Sequence, residues 1–218
     1  MVLTLLVVLM TVEGFSKVET WEQFNSSLLI EVTRGKGVFT CTGVAVSDTL
    51  IVTAAHCLEG NVTKVRVFTQ INYNPKQTSL DIASYKVHPE YEPSKSNYRN
   101  DIAKIVMKEK LPAFIKLLPI HQGNTVIGDL YRFGFGARND KNARTVITPT
   151  FRQVNVADKV VELNDKFSRS GDSGGPIYLR NGDNLSILAI HSTFSSGPQG
   201  NFSYNPLLNT YLPWIYQN

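Results

Sequence analysis

The hexapeptide Gly171-Asp172-Ser173-Gly174-Gly175-Pro176 sets a serine hydroxyl among glycines, which let the backbone turn tightly and approach a substrate without Cβ clashes. A serine so presented can attack a carbonyl, while its own N–H and that of Gly171 can hold the oxyanion that forms. Alone, the stretch could be a Gly-rich turn. Upstream, however, lie Thr53-Ala54-Ala55-His56-Cys57 and Asn100-Asp101-Ile102-Ala103, which supply a base and an acid. His56 can take the serine proton and return it to a leaving amine, and Asp101 can orient the imidazole. Asp101 leads into an apolar run and would be a buried carboxylate in need of a partner, for which the His56 ring N–H is the obvious choice. The bland alternatives are a core histidine and a turn or capping aspartate.

By these motifs, in the order His, Asp, Ser, the chain resembles the chymotrypsin-like (trypsin-fold) serine endopeptidases over roughly residues 25 to 218. The resemblance implies an all-β fold: two packed six-stranded antiparallel β-barrels, an active site in the cleft between them and a short C-terminal helix. It implies His56 as general base, Asp101 as its orienting carboxylate, Ser173 as nucleophile, and Gly171 with Ser173 as oxyanion hole. Lys104 departs from the pattern, standing where the family continues with an apolar residue. The interval from Asp101 to Ser173 is short, which predicts trimmed loops in the second barrel. Protein or peptide substrates, protein inhibitors as further partners, a monomer, and the absence of any cofactor or metal go with the same resemblance.

Specificity residues depart from tryptic members, in which the position six before the nucleophile is an Asp. Here it is Phe167, so cleavage after basic residues is not expected. His191 matches a histidine of glutamate-specific members, where it reads an acidic side chain with nearby hydroxyls, a role open to Ser170. The alternative is that His191 simply packs inside the barrel. Ser192 matches a serine that touches the catalytic Asp, on a strand that offers main-chain hydrogen bonds to an extended substrate. Phe194 could narrow the pocket mouth and favour small residues instead. The expected preference is for an acidic residue before the scissile bond. The rival reading of the whole chain is a catalytically silent homologue acting as a binding module.

The freed Ile-Val-Gly-Gly terminus that pairs with the Asp before the nucleophile in most animal members has no counterpart, since that region reads Phe15-Ser16-Lys17-Val18. Asp172 is nonetheless present and needs a cation. Arg132, in Arg132-Phe133-Gly134-Phe135-Gly136, matches a position at which some bacterial members carry the partner of this Asp. Arg169 and Arg152 are the alternatives.

Composition adds limits. The 218 residues are 42% hydrophobic and 18% charged, with a net charge of +4, ordinary for a globular chain. The basic residues are scattered, so a nucleic-acid surface is not indicated. Residues 1–12, MVLTLLVVLMTV, are too few to span a bilayer and read as the apolar core of a secretory signal occupying about residues 1–16. A buried first strand or helix is the alternative. Export to a secreted or periplasmic location follows, with no stable membrane insertion. The two cysteines, Cys41 and Cys57, then read as a disulfide clamping the backbone that carries His56, whereas a cytosolic chain would keep two free thiols. So few cysteines lean towards a bacterial affinity, in which the sequons at Asn25, Asn61, Asn184 and Asn201 are incidental. His56, His88, His121 and His191 lie far apart, and no cluster has metal-ligand spacing.

The positioning elements are short β-rich runs. A single peptidase domain over 17–218 is expected, with a first barrel at about 25–110, a proline-bearing connection at about 111–123, a second barrel at about 124–210 and a helix at about 210–217. Expected strands are Ser27–Thr33, Gly37–Val46, Thr49–Thr53, Lys64–Ile71, Ile82–His88 and Ile102–Val106 in the first barrel. The second is expected from Thr125–Phe135, Arg144–Asn155, Lys159–Leu163, Pro176–Arg180, Leu185–Ser192 and Asn205–Leu208, with Asn181-Gly182 as a hairpin turn. Trp21–Phe24, one turn after His56 and Thr210–Tyr216 are the helix candidates.

Overall fold

Short β-rich runs build the first half. The strand β1 (Ser27–Arg34) turns at Gly35, whose φ of +55° suits glycine, into β2 (Gly37–Ala45). Leu28, Ile30 and Val32 of β1 point into one core while Leu29 faces Phe68 and Phe135 on the other side. With β3 (Leu50–Thr53), β4 (Val62–Phe68), β5 (Ile82–Val87) and β6 (Ala103–Met107), these form one sheet in the order β4-β1-β2-β3-β6-β5. A bridge between Val67 and Leu80 brings the two edges together, so the sheet nearly closes into a barrel. These coordinates are a computed structural model describing residues 24–69, 78–93, 99–136, 145–198 and 200–217. The expected signal, the Phe15–Val18 region and most of the Trp21–Phe24 helix candidate lie outside the described residues.

The second half differs in detail from a single six-stranded barrel. Its strands are β7 (Asp129–Gly134), β8 (Thr145–Ile147), β9 (Thr150–Asn155), β10 (Val160–Asn164), β11 (Pro176–Asn181), β12 (Asn184–Ile190), β13 (Thr193–Gly197) and β14 (Gly200–Pro206). They make two four-stranded antiparallel sheets, β12-β11-β7-β8 and β13-β14-β10-β9. The run expected over Arg144–Asn155 is broken after Ile147, where Pro149 has no N–H for a ladder. The run expected over Leu185–Ser192 stops at Ile190, and His191-Ser192 forms the corner where the chain passes to the other sheet. Between the sheets lie Leu130, Val161, Leu163, Ile177, Leu179, Leu188 and Leu207.

A third apolar cluster joins the halves. Val44, Val52 and Ile102 from the first half meet Phe133, Tyr178 and Ile187 from the second, with Phe24 stacked on Phe133. The chain closes on a 3-10 turn (Leu208–Tyr211) and the helix α2 (Leu212–Tyr216), which pack Tyr211 and Ile215 into this seam. Lys104, the departure from the family pattern, has a structural use here. Its ammonium donates to the carbonyls of Trp214 (3.0 Å), Ile215 (3.3 Å) and Gln217 (2.5 Å) and so caps the end of α2.

Candidate active site

His56 sits on the one-turn helix α1 (Ala55–Leu58), where β3 ends. Its backbone N–H donates to Asp101 Oδ1 at 2.8 Å and its Nδ1 lies 2.7 Å from Asp101 Oδ2. Two contacts to one carboxylate fix both the ring and the turn that carries it. Asp101 is fully buried. Asn100 before it adopts φ +54°, a left-handed conformation that asparagine tolerates, held by Asn100 Nδ2 donating to Glu90 O at 2.9 Å. Ser192 Oγ donates to Asp101 Oδ2 at 2.5 Å from the β12–β13 corner, so both halves of the fold meet at this carboxylate. Burial alone would lower the His56 pKa, but the Asp101 charge and hydrogen bond outweigh it and raise the imidazole above its ordinary value. Cys41 and Cys57 are joined, and Arg34 donates to the carbonyls of His56 and Cys57, both at 2.6 Å. Together they anchor α1 to the β1–β2 hairpin.

The nucleophile turn packs against the same strand ends. Thr42 N donates to Ser173 O at 2.8 Å, and Thr42 Oγ1 donates to Gly171 O at 2.8 Å. A Cβ at Gly174 would come within 2.1 Å of Thr53 Oγ1, so only glycine allows this approach. Gly171 has φ +99°. Within the turn, Asp172 N donates to Arg169 O, Gly174 N to His191 O and Gly175 N to Asp172 O. Among the described residues, the N–H groups of Gly171 and Ser173 have no internal acceptor. Two unsatisfied donors flanking a serine hydroxyl are what an oxyanion requires.

Arg132 is the largest fully buried side chain of the described residues, and it joins two carboxylates. Its Nη1 lies 2.9 Å from Asp172 Oδ2, while Nε and Nη2 bind Asp165 Oδ2 and Oδ1 at 2.6 and 3.0 Å. Asp172 also accepts from Gly136 N at 2.9 Å and Arg169 N at 3.0 Å. Arg169 thus meets Asp172 through its backbone, and Arg152 lies over the Phe202 ring near Glu162. Gly134 and Gly136 make room, since a Cβ at either would come within 2.5 Å of Asp172 Oδ1.

The expected specificity residues divide. His191 is buried, with Nε2 at 2.7 Å from Ser168 Oγ and Nδ1 at 3.2 Å from Asn205 Oδ1. Burial, and then the Arg132 charge, push its pKa down to about 4. Near neutral pH His191 is therefore an uncharged ring held between Ser168 and Asn205. Ser170 is exposed on the turn, Phe194 is 38% exposed on β13, and Phe167 is 54% exposed. Phe167 lines a cavity of about 440 Å³ with Val146, Pro149 and Lys166, and His191 is not part of that lining. Thr42, Asp165, Ser168 and Asn205 were not singled out from sequence. Asp165 and Ser168 flank Phe167 closely, but only the fold shows what they touch. Among the described residues no group of His, Cys, Asp and Glu could hold a metal ion, and no helix is long and apolar enough to cross a membrane.

A family model described as Trypsin matches residues 19–215. Phenoloxidase-activating factor 3 of Holotrichia diomphalia is 29% identical over 231 residues, which cover 85% of this chain and 66% of that protein. Vitamin K-dependent protein C of Rattus norvegicus is 25% identical, covering 81% of this chain and 45% of that protein. Serine protease 7 of Drosophila melanogaster is 25% identical, covering 74% and 53%. The chain thus spans about half to two thirds of the length of these curated relatives. Among solved structures, a scabies mite inactivated protease paralogue superposes with a TM-score of 0.71 over 89% of this chain and 93% of that one, at 18% identity, a likeness of fold alone. All of these are animal proteins, which overturns the bacterial affinity suggested by the low cysteine count, and none is described as glutamate-specific.

Proposed function

The chain belongs to the trypsin family, and on that premise we propose that it is an exported serine endopeptidase working through an acyl-enzyme. Ser173 Oγ attacks the scissile carbonyl as His56 Nε2 takes its proton. The N–H groups of Gly171 and Ser173 hold the oxyanion. His56 then gives the proton to the leaving amine, and a water deprotonated by His56 hydrolyses the ester and frees Ser173. Asp101, fixed by Ser192, keeps the imidazole in the required tautomer and stabilises its charged form. Arg132 takes the place of a freed amino terminus at Asp172, so the oxyanion turn stands without proteolytic activation. A preference for acidic side chains is not part of this reading.

The observation that carries it is the pair of N–H groups at Gly171 and Ser173 without an acceptor among the described residues, together with a histidine bound twice to a buried aspartate. The test is hydrolysis of a mixed peptide library by the full chain and two variants. Ser173→Ala should lower kcat by about 10⁴-fold or more, and Asp101→Asn by a comparable factor. Activity retained in Ser173→Ala would end the nucleophile assignment. A folded protein that cleaves nothing would favour the silent binding module.

A further inference from the structure

The sequons at Asn25, Asn61, Asn184 and Asn201 have no part in the peptide chemistry, and the fold separates them. Asn25 and Asn201 are half-buried, and the serines that complete their sequons, Ser27 and Ser203, are buried. Asn61 and Asn184 are exposed. Asn184 stands opposite Asn181 at the tip of the β11–β12 hairpin, and its side chain makes no hydrogen bond to a described residue.

Asn184 also borders a cavity of about 340 Å³, a volume within the range of small-ligand sites. His121, Gln122, Thr125, Ile127 and Ser186 line it. This lining offers both kinds of surface that a sugar ring presents. Ile127 is 64% exposed, an apolar partner for the C–H face of a pyranose or for an acetamido methyl. Gln122 Nε2 donates to the Ile120 carbonyl at 2.9 Å, which leaves Oε1 to accept from a sugar hydroxyl. His121 Nε2, at 3.0 Å from the Thr125 carbonyl, closes the loop that carries these side chains. The position leaves the nucleophile turn clear. β11 starts at Pro176, just past that turn, and at about 3.3 Å per residue its tip at Asn181 lies roughly 16 Å further on.

We infer that Asn184 is N-glycosylated and that the innermost N-acetylglucosamine of its glycan rests in this cavity, against Ile127 and Gln122. The inference rests on the export reading, because the donor is a lipid pyrophosphate-linked oligosaccharide of a eukaryotic secretory pathway. Asn184 Nδ2 attacks C1 of the first sugar. The N–C bond forms as the C–O bond to pyrophosphate breaks, the lipid pyrophosphate leaves, and a base of the transferase takes the amide proton. The cavity acts after folding, as a seat for the attached sugar.

The full chain is expressed for secretion in mammalian cells that make only high-mannose glycans. Peptide N-glycosidase in heavy-oxygen water then turns each glycan-bearing asparagine into a labelled aspartate. Peptide mapping should find the label at Asn184 in most molecules. The seat is read by thermal unfolding of secreted chains trimmed by an endoglycosidase to one N-acetylglucosamine. Asn184→Gln should lower Tm by about 2–4 °C in the wild-type background. In Ile127→Ser the same change should cost less than about 1 °C, because the sugar has lost its apolar partner. Both residues are exposed, so neither substitution threatens the fold. Secreted protein unlabelled at Asn184 would overturn the inference and leave export standing. Equal Tm losses in the two backgrounds would overturn the seat. A chain retained in the cell with no labelled sequon would overturn the export reading, and this inference with it.

Discussion

Replacing Arg132 by methionine probes how the nucleophile turn is held. The guanidinium is buried and reaches Asp165 and Asp172 through three contacts of 2.6 to 3.0 Å. Methionine keeps much of the apolar stem and removes the charge. Asp172 would retain the N–H groups of Gly136 and Arg169, and Asp165 that of Phe167 at 3.3 Å. The loss therefore falls short of stranding two bare carboxylates, but removes the guanidinium that joins them. Breaking a buried pair from one side costs about 3–5 kcal/mol, a large share of the roughly 5–15 kcal/mol that stabilises a domain. Urea unfolding followed by tryptophan fluorescence should show a destabilisation in that range. Adding Asp165→Asn should restore part of it, because one unpaired charge is gone. In native buffer, phosphonylation of Ser173 by a fluorophosphonate, with loss of fluoride, should slow by about 10- to 100-fold as the oxyanion turn relaxes. A destabilisation under about 1 kcal/mol with phosphonylation at the wild-type rate would refute the reasoning.

Three further outcomes follow. His56 must be neutral to accept a proton, and Asp101 raises its pKa, so kcat/KM should fall with decreasing pH through a midpoint above the ordinary imidazole value of about 6.5; a midpoint below 6 would contradict the pair. His191 is pushed down to about 4 in the fold. The unfolded chain therefore binds this proton first, and stability should drop as pH falls from about 6.5 towards 4, by up to about 3 kcal/mol. In His191→Gln, acid unfolding curves should lack that component. Lys104→Met should expose the α2 carbonyls, lower stability by about 1–3 kcal/mol and speed amide exchange in α2, while exchange in β1 and β2 is little changed under native conditions. Unaltered exchange in α2 would deny the cap.

Much of the site was legible because its chemistry is local. Glycines around Ser173 and the short motifs at His56 and Asp101 name residue types that few other contexts require together. Arg132 could be proposed because Asp172, read as buried, needed a cation. Asp165 and Ser168 could not, because their partners Arg132 and His191 lie 33 and 23 residues away. The burial of His191 between Ser168 and Asn205 is likewise something spacing does not reveal. Lys104 looked like a flaw in a strand motif, and its reason is the carbonyls of a helix more than a hundred residues on. The strands of the first sheet lie close to the β-rich runs that outline them. The second half was harder, because Thr148-Pro149 and His191-Ser192 bend runs that read as continuous strands.

The central claim is that Ser173 is an activated nucleophile, and the most direct measurement is intact-protein mass spectrometry after treatment with a fluorophosphonate. The account predicts one adduct, mapped by peptide sequencing to Ser173 and abolished in His56→Ala and in acid-unfolded protein. A folded protein that takes up no adduct, or takes it up at another residue, would contradict it.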